Sequence, residues 1–154
     1  MAIHEITKKG EPVLHRPSKD VAEAEFGTPK LERLIADMVE TMIHANGVGI
    51  AAPQIGVDKR IFIAESDDGP IAVINPRIVN YSKKRVKGEE GCLSIPGKFD
   101  HLHRSKEVTV EGRTVDGRKI TFIAQNFFAR IMQHEIDHLE GLLYVDRVEE
   151  QKKQ

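Results

Sequence analysis

Only one cysteine stands among 154 residues, so an internal disulfide framework is excluded, and a lone thiol fits a reducing cytoplasm. Stability must therefore come from burial, for which a chain of this length suffices as a single domain spanning 1–154. An excess of charge of one sign is also lacking. The formal net charge is −1 with 31% charged residues, which removes the basic footprint of a nucleic-acid binder. The runs Lys83-Lys84-Arg85 and Glu149-Glu150 read as solvated faces. No apolar stretch nears the roughly 18 residues of a membrane span, and neither a signal-peptide core nor a transit segment is apparent. The expectation is a cytoplasmic protein without linkers or repeats.

What is present has clear periodicity. Thr28 as N-cap, Pro29 in the first turn and apolar residues from Leu31 to Ile43 at helical spacing predict a long N-terminal helix. Strand-like runs fall at 60–64, 71–75, 77–81, 108–111 and 119–123, with turns at Asp67-Asp68-Gly69-Pro70 and Asp116-Gly117. A second helix carries Phe128, Met132, Ile136 and Leu139 as a buried stripe. Strands segregated between helices predict an α+β fold, mostly antiparallel sheet packed around this second, central helix.

That helix holds His134-Glu135-Ile136-Asp137-His138. Residues four apart share a helical face, so both imidazoles can reach one ion while Glu135 stands beside them to handle protons. A catalytic site of this kind takes three protein ligands. The extended metzincin pattern is followed through Gly141, but Tyr144 occupies its last histidine position. The residues after His138 leave no room for the downstream helix that donates a glutamate in thermolysin-type sites. The third ligand must come from upstream. Cys92, flanked by glycines and Pro96 in a turn-like segment, is favoured, with His101 and His103 as rivals on one face of a strand.

Gly47-Val48-Gly49-Ile50-Ala51-Ala52 fits the dinucleotide pattern GxGxxG/A, yet a helix precedes it and Pro53 follows. The fingerprint needs a strand before and a helix after, so a nucleotide site is rejected. The glycines are expected to end the first helix at Gly47 and to allow close backbone approach. Gln54 then offers an amide to an oxyanion.

Three segments, Gly47–Gln54, Glu90–Ser94 and Gln133–His138, resemble in sequence, order and spacing the signature motifs of peptide deformylases. The resemblance runs from the Gly10–Leu14 entry to the motif helix. It implies a metal-dependent hydrolase that removes the formyl group from the N-terminal methionine of newly made polypeptides. Fe(II) is the implied native ion, with zinc, nickel or cobalt able to substitute. It implies Cys92, His134 and His138 as ligands, Glu135 as general acid/base, and Gln54 with the Leu93 N–H around the substrate carbonyl. Val48, Gly49 and Gly91 would offer main-chain groups to an extended peptide. Periodicity adds Ile131 and Phe127, on the face of His134, as candidates for the methionine pocket. Glu90 and Asp137 are expected to steady the ligand histidines, and Arg104 to pair with Asp137. Two departures stand out. Gly97-Lys98-Phe99 replaces a segment where members often carry a peptide-binding arginine. The tail, ending at Gln154, is shorter than the C-terminal helix proposed to dock some members on the ribosome, so transient ribosome association, a candidate partnership implied by the resemblance, is not assumed to use that route.

Overall fold

Pro29–His44 forms helix α1 as expected. Thr28 caps it, its Oγ1 accepting from the Leu31 N–H at 3.3 Å. The computed structural model describes residues 2–154. The C-terminus of α1 differs from expectation. Asn46, not Gly47, takes the left-handed conformation, with φ 59°. Asn46 N–H donates to Ile43 O at 3.0 Å and Gly47 N–H to Met42 O at 2.9 Å, the paired bonds of a Schellman ending. Gly47 leaves room for a side chain instead: a Cβ there would lie 2.9 Å from Leu93 Cδ1, which would have to shift.

Seven strands follow: β1 Gly49–Ala51, β2 Ile61–Ser66, β3 Gly69–Tyr81, β4 Arg85–Cys92, β5 Ile95–Ser105, β6 Glu107–Arg113 and β7 Lys119–Gln125. All pairings are antiparallel, giving a five-stranded sheet β1-β2-β3-β6-β7 and a separate β4-β5 hairpin. The runs expected at 71–75 and 77–81 are one strand. Asn75, at φ 51°, and Pro76 bend it, and the register against β6 shifts between Ile74 and Arg77. The Asn75 side chain fixes the bend by accepting from Val21 N and donating to Val21 O, at 2.8 and 3.0 Å.

Helix α2, Asn126–Leu139, lies on one face of the five-stranded sheet and α1 on the other. Strand β2 shows why its sequence is apolar without alternation: Phe62 and Ala64 pack toward α2, Ile61 and Ile63 toward α1. Met132 and Leu139 of α2 are fully buried, each worth about 1.5 to 3 kcal/mol of transfer free energy. Phe128 is only partly buried at the edge of this core. A third helix, α3 Tyr144–Lys152, fits into the C-terminal segment where no room was expected, because it needs only 9 residues. It packs on β5, with Tyr144 Oη donating to Lys98 O at 3.0 Å. Among the described residues, no helix is long and apolar enough to cross a membrane.

Candidate metal centre

Burying Met132, Ile136 and Leu139 against the sheet turns the neighbouring face of α2, with His134 and His138, toward the β4-β5 hairpin. The two rings stand 5.1 Å apart between centroids. Cys92 ends β4, just before the tight turn at Leu93-Ser94. The ligand atoms of Cys92, His134 and His138 all lie within 4.8 Å of one another, and Cys92 Sγ is 3.3 Å from His138 Nε2. No other such cluster of three occurs among the described residues, so His101 and His103 are not part of one. They lie on β5, and His103 is tied instead through its backbone to Gln151.

Glu90 sets the orientation of His134. The carboxylate is an acceptor, so His134 Nδ1, 2.9 Å from Glu90 Oε1, carries the proton of that bond. The Nε2 lone pair is thereby left for the centre. Glu90 is itself held by Arg104 through Nε and Nη2, each at 2.9 Å, and by Arg130 Nη1 at 2.6 Å. Burial opposes the charge on Glu90, but its bonds to His134 and Arg104 prevail and keep its carboxyl well below the usual carboxylate range. Arg104 pairs with Asp137 as expected, Nη1 to Oδ2 at 2.6 Å. Asp137, however, makes no hydrogen bond to His134 or His138. It follows His134 by three residues on the helix and turns to Arg104 and Arg147. Arg130 escaped the sequence reading. Its signal was Gly88 on β4, where a Cβ would lie 2.8 Å from Arg130 Nη2, since glycine inside a strand marks close approach by another group.

The donor set fits a divalent cation. Burial disfavours a proton on His134, but its bonds to Cys92 and Glu90 prevail and lift it to about 10. Burial and the neighbouring His134 charge hold His138 well below its ordinary value. One thiol and two imidazoles whose donor atoms lie within 4.8 Å of one another can converge on one such ion, which would take the place of the proton on His134.

Glu135 faces the same space. It is buried, with Oε1 unpartnered. Burial pushes its carboxyl up to about 7, helped by Glu90 and opposed by His134. A cation beside it would pull that value back down. Gly49 makes room for it: a Cβ at Gly49 would lie 2.5 Å from Glu135 Oε2. Gln54 is fixed because Ala51 N–H donates to its Oε1 at 2.9 Å. The amide NH₂ is thereby turned to Ser94 Oγ at 3.2 Å and Cys92 Sγ at 3.6 Å. Glu135, Gln54, Cys92, Leu93 and His134 border a cavity of about 430 Å³, whose remaining wall includes Val48, Gly49, Gly91, Phe127 and Ile131. His138 is buried behind it. Phe99 lies over Gly91, where a Cβ would be 2.5 Å from the ring.

A Cys-His-His group with a buried carboxylate at the end of a largely apolar cleft defines a mononuclear metal hydrolase. The family model described as polypeptide deformylase matches residues 3–154, and the chain belongs to that family. Curated peptide deformylases from Halothermothrix orenii and Desulforudis audaxviator are 45% and 40% identical, each covering 96% of this chain and 95% and 94% of theirs. The Met-Ala-Ser-bound crystal structure of the class I type b peptide deformylase from Acinetobacter baumannii superposes with TM-score 0.92 at 36% identity, covering 95% of this chain and 98% of that one. The chain is a metal-dependent hydrolase that removes the N-formyl group from the N-terminal methionine of newly synthesised polypeptides, releasing formate.

Proposed function

We propose that Cys92, His134 and His138 hold one divalent ion, Fe(II) in the native enzyme, which zinc, nickel or cobalt can replace. One sulfur and two imidazole nitrogens form a donor set that suits these metals. When bound, the ion supplies Lewis acidity, acidifying water to a pKa of about 7 and polarising a carbonyl.

The remaining chemistry falls to side chains and main-chain groups. Glu135 accepts the proton of the attacking water and returns it to the amine nitrogen as the C–N bond breaks. The observation that carries this role is its buried, unpartnered carboxylate oxygen at the wall of the same cleft as Cys92 and His134. Gln54 Nε2 and the Leu93 N–H donate to the formyl oxygen as negative charge builds there. Such a donor contributes about 2.7 to 4 kcal/mol in the transition state. Ile131 and Phe127 receive the methionine side chain, while Val48, Gly49 and Gly91 pair with the peptide as an added strand. The Met-Ala-Ser peptide bound by the Acinetobacter relative supports an extended substrate that begins with methionine. The work is done in the cytoplasm on nascent chains, with ribosome contact transient.

The test is formate release from formyl-Met-Ala-Ser by anaerobically purified, Fe(II)-loaded protein, alongside Glu135→Ala. Wild type should turn over. The variant should keep its metal and lose roughly 10²-fold or more in kcat, the usual contribution of a positioned acid/base. Near-normal turnover by a metal-loaded variant would remove Glu135 from the mechanism.

A further inference from the structure

Glu90 is the visible support of His134, but the chain of charged contacts does not end there. From His134 Nδ1 it runs to Glu90 at 2.9 Å, from Glu90 to Arg104 in two bonds of 2.9 Å, and from Arg104 to Asp137 Oδ2 at 2.6 Å. It then leaves α2 for α3. Arg147 Nη2 donates to Asp137 Oδ1 at 3.0 Å and Nε to Oδ2 at 3.2 Å. We propose that Arg147, on the C-terminal helix, is a positioning residue for the metal centre, acting on His134 through Asp137, Arg104 and Glu90.

The argument rests on satisfaction of buried charge. Arg104 is 6% exposed and has two carboxylate partners, Glu90 and Asp137. Among the described residues, Arg147 is the sole side chain bonded to Asp137 Oδ1. Without it, that oxygen has no side-chain partner and Asp137 retains only Arg104, so the carboxylate turns further toward that guanidinium and shifts it. Glu90, gripped at both oxygens by the same guanidinium, follows, and the direction of the His134 ring is no longer over-determined. Outer groups that hold a ligand histidine typically carry 10- to 100-fold in metal affinity. A group three contacts further out should carry less. Arg147, Asp137 and Arg104 border a second cavity, of about 280 Å³, which shares no lining residue with the substrate cleft. Arg147 therefore does not itself line the substrate cleft, and a substitution there reaches it only through Glu90 and His134.

This inference rests on the ligand assignment proposed above, so the experiment separates the two. Apo protein is titrated with Co(II), following thiolate and ligand-field absorption, for wild type, R147M and R147K, with thermal unfolding of each apo form alongside. Wild type that takes up no Co(II) with thiolate absorption overturns the ligand set and the relay with it. With wild type binding, R147M is expected to bind Co(II) about 3- to 10-fold more weakly, with a shifted ligand-field band and, after loading, a lower kcat at unchanged KM. A lower apo midpoint with unchanged Co(II) affinity and spectrum makes Arg147 merely structural and overturns the relay. R147K keeps the charge but not the two-point grip. If R147M folds poorly, R147K carries the same criterion: weaker Co(II) binding supports the relay and unchanged binding ends it.

Discussion

At the scale of single residues, the centre depends as much on what is missing as on what is present. Gly49 contributes an absent Cβ, and Glu135 occupies that space. In Gly49→Ala the new methyl would meet Glu135 Oε2 at 2.5 Å and Cδ at 2.9 Å, and a buried carboxylate has nowhere to retreat but away from the cleft. The expected result is a kcat reduced roughly 10²-fold with metal content unchanged. Full activity with full metal would mean that Glu135 tolerates displacement. Glu90 presents the opposite case, a charge that cannot be removed. It faces Arg104, Arg130 and His134 from a 6% exposed position. Glu90→Gln should destabilise the apo protein by about 3 to 5 kcal/mol, because Arg130 loses its buried counter-charge and Arg104 one of its two. Urea unfolding measures it, and a loss under about 1 kcal/mol would show that water reaches the pair.

At the scale of elements, the hairpin β4-β5 is the part that sequence periodicity concealed. Its inward positions do alternate, but they are Gly88, Glu90 and Cys92 on one strand and Leu102 and Arg104 on the other. Glycine, glutamate and arginine erase the apolar period that reveals a strand. Helices α1 and α2 were legible because their inward positions are aliphatic at a 3.6-residue period, and the Thr28-Pro29 cap announced the first. The cluster of Cys92, His134 and His138 was legible because its residue types and spacings are chemical rather than hydropathic, whereas Arg130 and Arg147 were not, since an arginine reads as surface until its carboxylates are located. The same hairpin lacks a strand partner on the outer edge of β5, and two amides from helices substitute. Gln133 accepts from Ser105 N–H and donates to Ser105 O, at 3.0 and 2.9 Å. Gln151 does the same at His103, at 2.8 and 2.9 Å. Gln133→Leu should cost roughly 2 to 6 kcal/mol, from one buried N–H and one buried C=O at about 1 to 3 kcal/mol each. Gln151→Leu, at an exposed bond where water can replace the amide, should cost far less. Equal costs in denaturant unfolding would refute this account of the edge.

At the scale of the whole molecule, the hairpin stands outside the five-stranded sheet and apart from its main apolar core, fastened by polar contacts from α2 and α3 and by a small apolar cluster of Ile95 and Leu102 with Leu143, Tyr144 and Val148. The proposed ion would add a further fastening, because Cys92 belongs to the hairpin while His134 and His138 belong to α2. Binding to the folded form alone adds stability by mass action, about 4.1 kcal/mol at a free metal concentration 1,000 times Kd. For a chain of this size each kcal/mol moves the midpoint by about 2 to 4 °C. Chelation should therefore lower thermal stability by roughly 8 to 16 °C, and Cys92→Ala should abolish most of that difference. Its distribution is the sharper prediction. Removing the ion should speed hydrogen exchange at amides of β4 and β5, which lose one of their links to α2, while β2 and β3, packed between two helices, open only with global unfolding. Exchange that rises equally in β2 and in β4 on chelation would mean that the ion stabilises the fold as one unit, and the hairpin would then need a different explanation for its attachment.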